Sequence, residues 1–424
     1  MDRGSEPRPR RTVSGRSRVD AAIYAASTVF AGVAWALADP LQRSWGRLAV
    51  WPYAIGALIA WTLLPLDPRR RRILAVAVMT GATLLPVLWG VSRRSGDDPG
   101  ASARSEVFIV EEATTALLGG RNPYEAEFHT GPLASRPMPT RTHVPYPPAM
   151  LAFGLPAAIA GPGPLTDARV WFLVVSIVVT VAALRMMRSD DEGRLRSFQV
   201  LFVLPTGSMV LATGGHDIPV LAALLAAFVL TDRGRTDTAG VVSGIALAMR
   251  QTSILVIPFI VAAVPPGRRA RFVGMASIPV LALVVPFLAW DPRAFVEDVV
   301  LFPLGLGDGR SSAQTPTVGS ALLGLLPEAR TPLTILLVLT IVASVLLLLR
   351  TGRSATVDGA GARAAGAFAI AIALAPAGRF GYVVYPISLA VWAYAFARVD
   401  RRGGDDRDAT TAPATATRSE TATG

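Results

Sequence analysis

Apolar runs long enough to cross a bilayer as helices recur from Ala21 to Arg398, and short arginine-bearing stretches separate them. This alternation leaves few folds open, because a segment in lipid must satisfy its own backbone hydrogen bonds and only helices and closed barrels do so. The runs are rich in Ala, Leu and Val with interspersed Gly and Pro, which suits helices and not the alternating strands of a membrane barrel. With 52 % hydrophobic residues and a mean hydropathy of +0.46, the chain reads as an all-α polytopic membrane protein with no soluble domain left to place.

The net charge of +11 comes from arginine alone, since the chain has no Lys. In a soluble protein such a balance would point to nucleic acid. Here the arginines sit in short loops beside apolar segments, where membrane orientation explains them, and nucleic acid is not an expected partner. The absence of Cys excludes disulfides, thiolate metal sites and a cysteine nucleophile. No Gly-rich phosphate loop, HExxH or GxSxG occurs, so nucleotide chemistry of the soluble kind is unsupported. No cofactor is expected: His216-Asp217 offers a foothold for a divalent metal, but two adjacent residues do not make a site.

Placing the clusters Arg3 to Arg18, Arg69 to Arg72, Arg185 to Arg196, Arg233 and Arg235, Arg268 to Arg271, Arg350 to Arg363 and Arg398 to Arg407 in the cytoplasm fixes the topology. It predicts twelve spans, at 20–38, 49–66, 73–92, 169–187, 197–213, 218–231, 238–249, 252–264, 272–290, 333–350, 363–377 and 381–397, with both termini inside a bacterial plasma membrane. Val144 to Gly161 looks long enough to cross, yet a crossing there would invert every later loop. It is read as an interfacial or half-inserted helix broken by Pro147, Pro148 and Pro156, with a true span as the alternative. Residues 1–19 and 401–424 read as disordered cytoplasmic tails, 20–66 as an extra helical hairpin, and 73–400 as the main membrane module, in which 93–168 is a long outer loop carrying interfacial helices.

Polar residues collect at the outer helix ends. The long loop supplies Glu106, Tyr124, His143 and Tyr146; a later turn supplies Gly214-Gly215-His216-Asp217; and Arg379 and Tyr382 lie between the last two spans. The halves of Ala239 to Val264 are too short to cross and meet at Met249-Arg250-Gln251-Thr252, with the arginine at the apex of a cavity. Arg250 there either pairs with a buried carboxylate or clamps a phosphate, which its planar fork suits. The loop 291–330 adds Glu297, Asp298, Asp308 and Arg310. Carboxylates, a histidine and two arginines on one face fit attack by a hydroxyl on a phosphate-activated donor. The plainer readings are ordinary loop histidines for His129 and His143, and an exposed face of an interfacial helix for Glu111 and Glu112.

At these residues the chain resembles a family. Glu106 to Tyr124, with Ala113, Leu117, Leu118, Gly120 and Asn122-Pro123-Tyr124, followed by Tyr146-Pro147-Pro148, resembles the first outer loop of glycosyltransferase family 87. These are polyprenyl-phosphate-dependent, mannosyltransferase-like membrane proteins of the GT-C fold. Gly215-His216-Asp217-Ile218-Pro219 resembles their second outer loop, and Ala239 to Thr252 the short helix pair whose apex carries Lys or Arg; Phe380-Gly381-Tyr382 to Pro386 extends the likeness. The resemblance implies a GT-C-like bundle and inverting transfer of a sugar, mannose by analogy, from a polyprenyl-phosphate donor to a lipid or glycan acceptor on the outer face. It implies Glu106 as general base, although the family typically has Asp there. Arg250, Gln251 and Arg379 would bind the donor phosphate, and Tyr124, His143, Tyr146, His216 and Asp217 the substrates. The competing classes are a transporter or flippase for lipid-linked or anionic substrates, which should show paired interrupted repeats where only one short pair is visible, and a noncatalytic relative.

Overall fold

The structure is a computed structural model and describes residues 10–95, 99–307, 315–351, 356–376 and 378–410. Its main helices are α1 (Arg10–Leu37), α2 (Pro40–Thr62), α3 (Pro68–Ser92), α4 (Ser105–Leu118), α5 (Ala168–Met186), α6 (Asp191–Thr213) and α7 (Asp217–Asp232). They continue with α8 (Thr236–Met249), α9 (Gln251–Ala263), α10 (Arg269–Trp290), α11 (Arg330–Thr351), α12 (Val357–Leu374) and α13 (Val384–Thr410). Among the described residues there is no strand, only an isolated bridge between Thr315 and Gly378.

Every predicted span has a helix, but among the described residues seven helices are long and apolar enough to cross a bilayer, against the twelve expected. The other five fall short for visible reasons. α2 carries Arg43 and Arg47, α7 has 16 residues, α8 has 14, and the charged end of α13 dilutes its apolar stretch. α9 runs only from Gln251 to Ala263. Pro148–Ala160, the segment read as non-crossing, is likewise below spanning length. The Thr114 hydroxyl at 2.7 Å from the Leu151 carbonyl holds it against α4.

Helix begins at Arg10, with Ser17 buried against Leu66 in the link before α3 and Asp20 buried against α3 and α6. At the other end α13 continues to Thr410, with no proline after Pro386 to stop it before Pro413; residues 1–9 and 411–424 lie outside the described residues.

The hairpin α1–α2 is keyed into the module through backbone irregularities. α3 contains a π turn at Thr80–Leu84 just before Pro86, and α6 breaks between Phe202 and Pro205, where the ring cannot donate. The carbonyls freed inside lipid need donors. Ala82 O receives the Trp45 indole N–H at 2.9 Å and the Ser208 hydroxyl at 2.7 Å, Phe202 O receives Thr83 at 2.6 Å, and Val203 O receives the Tyr53 hydroxyl. α10 stands at the other extreme: only 6 % of its apolar stretch is buried, so its long face meets lipid.

Candidate active site

The helix that carries the first candidate acid is fixed from three sides. Arg104, at the N-cap of α4, donates its backbone N–H to Thr213 O at 2.9 Å, which sets Glu106 in the first turn beside the end of α6. Farther along, Glu111 is buried and accepts from Arg94 and from the Ala168 N–H at 2.9 Å, while Asp167 takes Arg94 at 3.1 Å and Arg169 at 2.7 Å. Arg169 is fully buried and also donates to Ser102 O at 2.8 Å and Gly90 O at 3.1 Å. Glu111 therefore does not lie on an exposed face: two arginines and two carboxylates neutralise one another and bolt α4 to α3 and α5.

The turn between α6 and α7 depends on Gly214. Its φ of +95° is left-handed, which a side chain resists, and the turn is closed by Gly214 N–H to Leu211 O at 3.1 Å and Gly215 N–H to Val210 O at 2.7 Å. His216 and Asp217 then enter α7 facing the break between α8 and α9. There Arg250 has an extended backbone, φ −153° and ψ 124°, and its guanidinium leaves the helix line.

Arg250 is buried and fully engaged. One terminal nitrogen donates to His216 Nε2, the other to the Tyr382 hydroxyl at 3.0 Å, and Nε lies 3.1 Å from Asp217 Oδ1 as an ion pair without hydrogen-bond alignment. Tyr385 donates to the same carboxylate oxygen at 3.0 Å. Because Nε2 of His216 accepts, its proton sits on Nδ1. Burial, then the nearby charges of Arg250 and Arg104, push the imidazole well below the usual range and keep it neutral. Tyr146 packs edge-on to His216 with centroids 4.4 Å apart.

A cavity of about 550 Å³ opens among these groups. Of the predicted site residues, Glu106, His143, Tyr146, His216, Arg250, Gln251 and Arg379 line it. Glu106 is buried and ion-paired with Arg379 across the mouth. Gln251 spends its amide N–H groups on Pro145 O and Val299 O, each at 3.3 Å, which ties the apex to two loops. His143 stacks on Phe302 at 4.2 Å, and its Nδ1 faces Pro139 O at 3.1 Å and Thr142 Oγ1 at 2.9 Å. One wall is apolar, with Val338, Ile341 and Val342 from α11 and Phe368 and Ile372 from α12; Val342 and Ile254 are also exposed on the protein surface.

Two predicted substrate residues do not reach the cavity. Tyr124 is wedged edge-on between Phe287 and Phe295 and donates to Tyr146 O at 3.0 Å, so it buttresses the wall. Asp217 stands behind Arg250. His129 pairs with Glu127 at 2.5 Å on the surface, and Asp308 and Arg310 lie outside the described residues. Among the described residues no group of three His, Cys, Asp or Glu is arranged to hold a metal.

Asp298 and Arg104 were not singled out as site residues from sequence. Asp298 is buried 4.0 Å from His143 Nε2, accepts the Val144 N–H at 2.6 Å, and is pushed up to about 8 chiefly by burial. Arg104 places its charge near Tyr146, Asp217 and Tyr382; its position two residues before Glu106, in the same turn, was the available signal.

The chain aligns with the crystal structure of ArnT from Cupriavidus metallidurans in the apo state at 14 % identity and a TM-score of 0.46, over 79 % of this chain and 61 % of that one. None of the curated proteins matches it. The sequence model of glycosyltransferase family 87 matches residues 144–376, a stretch that includes Tyr146, His216, Asp217, Arg250 and Gln251 and leaves out Glu106, Tyr124, His143 and Arg379. That match spans more than half of the 424 residues, and the chain belongs to glycosyltransferase family 87.

Proposed function

We propose that this enzyme moves a hexose, mannose in the first instance, from a polyprenyl-phosphate donor to a hydroxyl of a lipid or glycan acceptor on the outer face of a bacterial plasma membrane, on a GT-C-like scaffold. The observation that carries this reading is the composition of the cavity: one carboxylate and two guanidiniums at one end, and an apolar wall of α11 and α12 that opens toward lipid at Val342 and Ile254. A molecule with an anionic head and a long apolar chain fits such a site; a free nucleotide sugar leaves the apolar wall unused.

The acceptor oxygen attacks the anomeric carbon while its proton passes to Glu106. The bond from that carbon to the phosphate oxygen breaks, and the polyprenyl phosphate departs with the electron pair, which inverts the configuration. Arg250 and Arg379 stabilise the charge that grows on the leaving phosphate. Arg379 pairs with Glu106, so the donor phosphate and the base share one guanidinium. Asp217, with Tyr385 behind it, keeps the fork of Arg250 aimed.

The test is transfer from radiolabelled polyprenyl-phosphate-mannose in membranes holding the wild type or Glu106→Gln. Transfer by the wild type and a loss of roughly two orders of magnitude or more in the variant, at equal protein levels, is expected. Equal transfer by both removes Glu106 as the base.

A further inference from the structure

At the end of α4 far from Glu106 lies a second cavity of about 440 Å³, walled by Arg121, Asn122, Glu125 and Glu127 from the turn after α4 and by Trp290 at the end of α10. α4 has 14 residues, which sets Glu106 roughly 20 Å from this turn along it. One sugar ring cannot touch both Glu106 and the turn. We propose that the second cavity binds a sugar unit of a membrane glycolipid acceptor, a unit other than the one that receives the transfer; this rests on the transferase reading above.

Position argues for a glycolipid. Trp290 ends α10, an apolar helix with one face on α8 and the other exposed, so its indole, 49 % exposed, stands at the level where hydrocarbon gives way to headgroups. Chemistry argues for a sugar. The wall offers a flat aromatic face for the C–H side of a pyranose, guanidinium donors and carboxylate acceptors. Vicinal hydroxyls, each both donor and acceptor, use all of these. Two carboxylates oppose one guanidinium, and Asp291 follows Trp290 in the chain; this balance repels phosphate and favours a neutral polyol.

The wall is also built and not merely a surface loop. Asn122 is more than nine-tenths buried and its Oδ1 accepts the Tyr124 N–H at 3.2 Å, which fixes the turn that carries the wall. Tyr124, held between Phe287 and Phe295, joins this turn to Tyr146 of the first cavity through its hydroxyl. The two cavities thus share a rigid partition, which suits a ruler for an extended acceptor.

The test is saturation-transfer NMR on the full chain in lipid nanodiscs with two soluble neutral probes, mannotriose and maltotriose. The wild type and Glu106→Gln should both transfer saturation to the ring C–H protons of at least one probe. Affinity should fall roughly tenfold in Trp290→Ala, recover in part in Trp290→Phe, and weaken in the exposed-site variants Arg121→Ala and Glu127→Gln. No signal from the wild type, or a signal equal in Trp290→Ala and Arg121→Ala, overturns the proposal and leaves Trp290 an interfacial anchor only. Because the readout is binding, it is separable from transfer: binding without transfer retires the enzyme reading, and transfer without binding retires this one.

Discussion

Two buried carboxylates near the first cavity meet opposite surroundings. Glu106 faces Arg379, whereas Asp298 has burial and one backbone N–H, with the Glu297 carboxylate and the His143 ring as its titratable neighbours. Burial without a cation favours the neutral acid, which is why Asp298 is pushed up to about 8. The sign for stability follows. The folded state holds this proton more tightly than the unfolded chain does, so its contribution is full below the ordinary carboxylate range, declines as pH rises toward 8, and is flat above that. Asp298→Asn should therefore flatten the fall of thermal stability between about pH 4 and pH 8, read as melting temperature in detergent; an unchanged slope would show that Asp298 is not the group responsible. From sequence Asp298 was one acid among four polar residues in a loop, because burial, which gives it its character, comes from helices distant in the chain. Arg250 was legible as an apex arginine. That it would both line the cavity and pair with a buried carboxylate, Asp217, joins two readings the sequence had held apart.

At the scale of elements, the site is assembled where helices stop. Arg250 reaches the cavity because α8 ends in an extended residue, Glu106 because α4 starts there, and His216 because Gly214 turns left-handed. The Gly214 position has no room for a side chain, since a β-carbon would collide with Val107, the neighbour of Glu106. Gly214→Ala is expected to cost about 1–2 kcal/mol from the backbone conformation alone and to lower transfer further by displacing α4. Chemical unfolding beside the transfer assay checks this, and an alanine variant as stable and as active as the wild type would refute it. These breaks were partly readable as Gly-Gly and as a short helix pair. The buttressing role of Tyr124 was not, because its position depends on aromatic partners from residues 287 and 295.

At the scale of the molecule, the N-terminal hairpin belongs to the fold and is not an appendage. Away from the cavity, Arg71 is held by Asp20 and by Glu192 at 2.5 Å, and Arg196 bridges the same acids at 2.6 and 2.8 Å, so α1, α3 and α6 share one neutral, buried cluster. Removing one acid leaves a guanidinium without its counter-charge. Asp20→Ala should cost about 3–5 kcal/mol and lower the yield of folded protein, whereas a double replacement of Asp20 and Arg71 by apolar residues of similar size should recover much of it. If the single variant melts like the wild type, the hairpin is not clamped in this way.

The sequence alone determined the class, the helix positions and the short pair at Arg250, because apolar length, proline and glycine act locally on the backbone. It also supplied the candidate residues, through motifs whose order along the chain is distinctive. Only the tertiary structure decided which of them meet. Glu106 and Arg379 are 273 positions apart and share an ion pair, while Tyr124, just past the end of the helix that carries Glu106, stays outside the cavity. Side-chain burial and charge pairing depend on how helices pack around one another, and no local pattern records that packing.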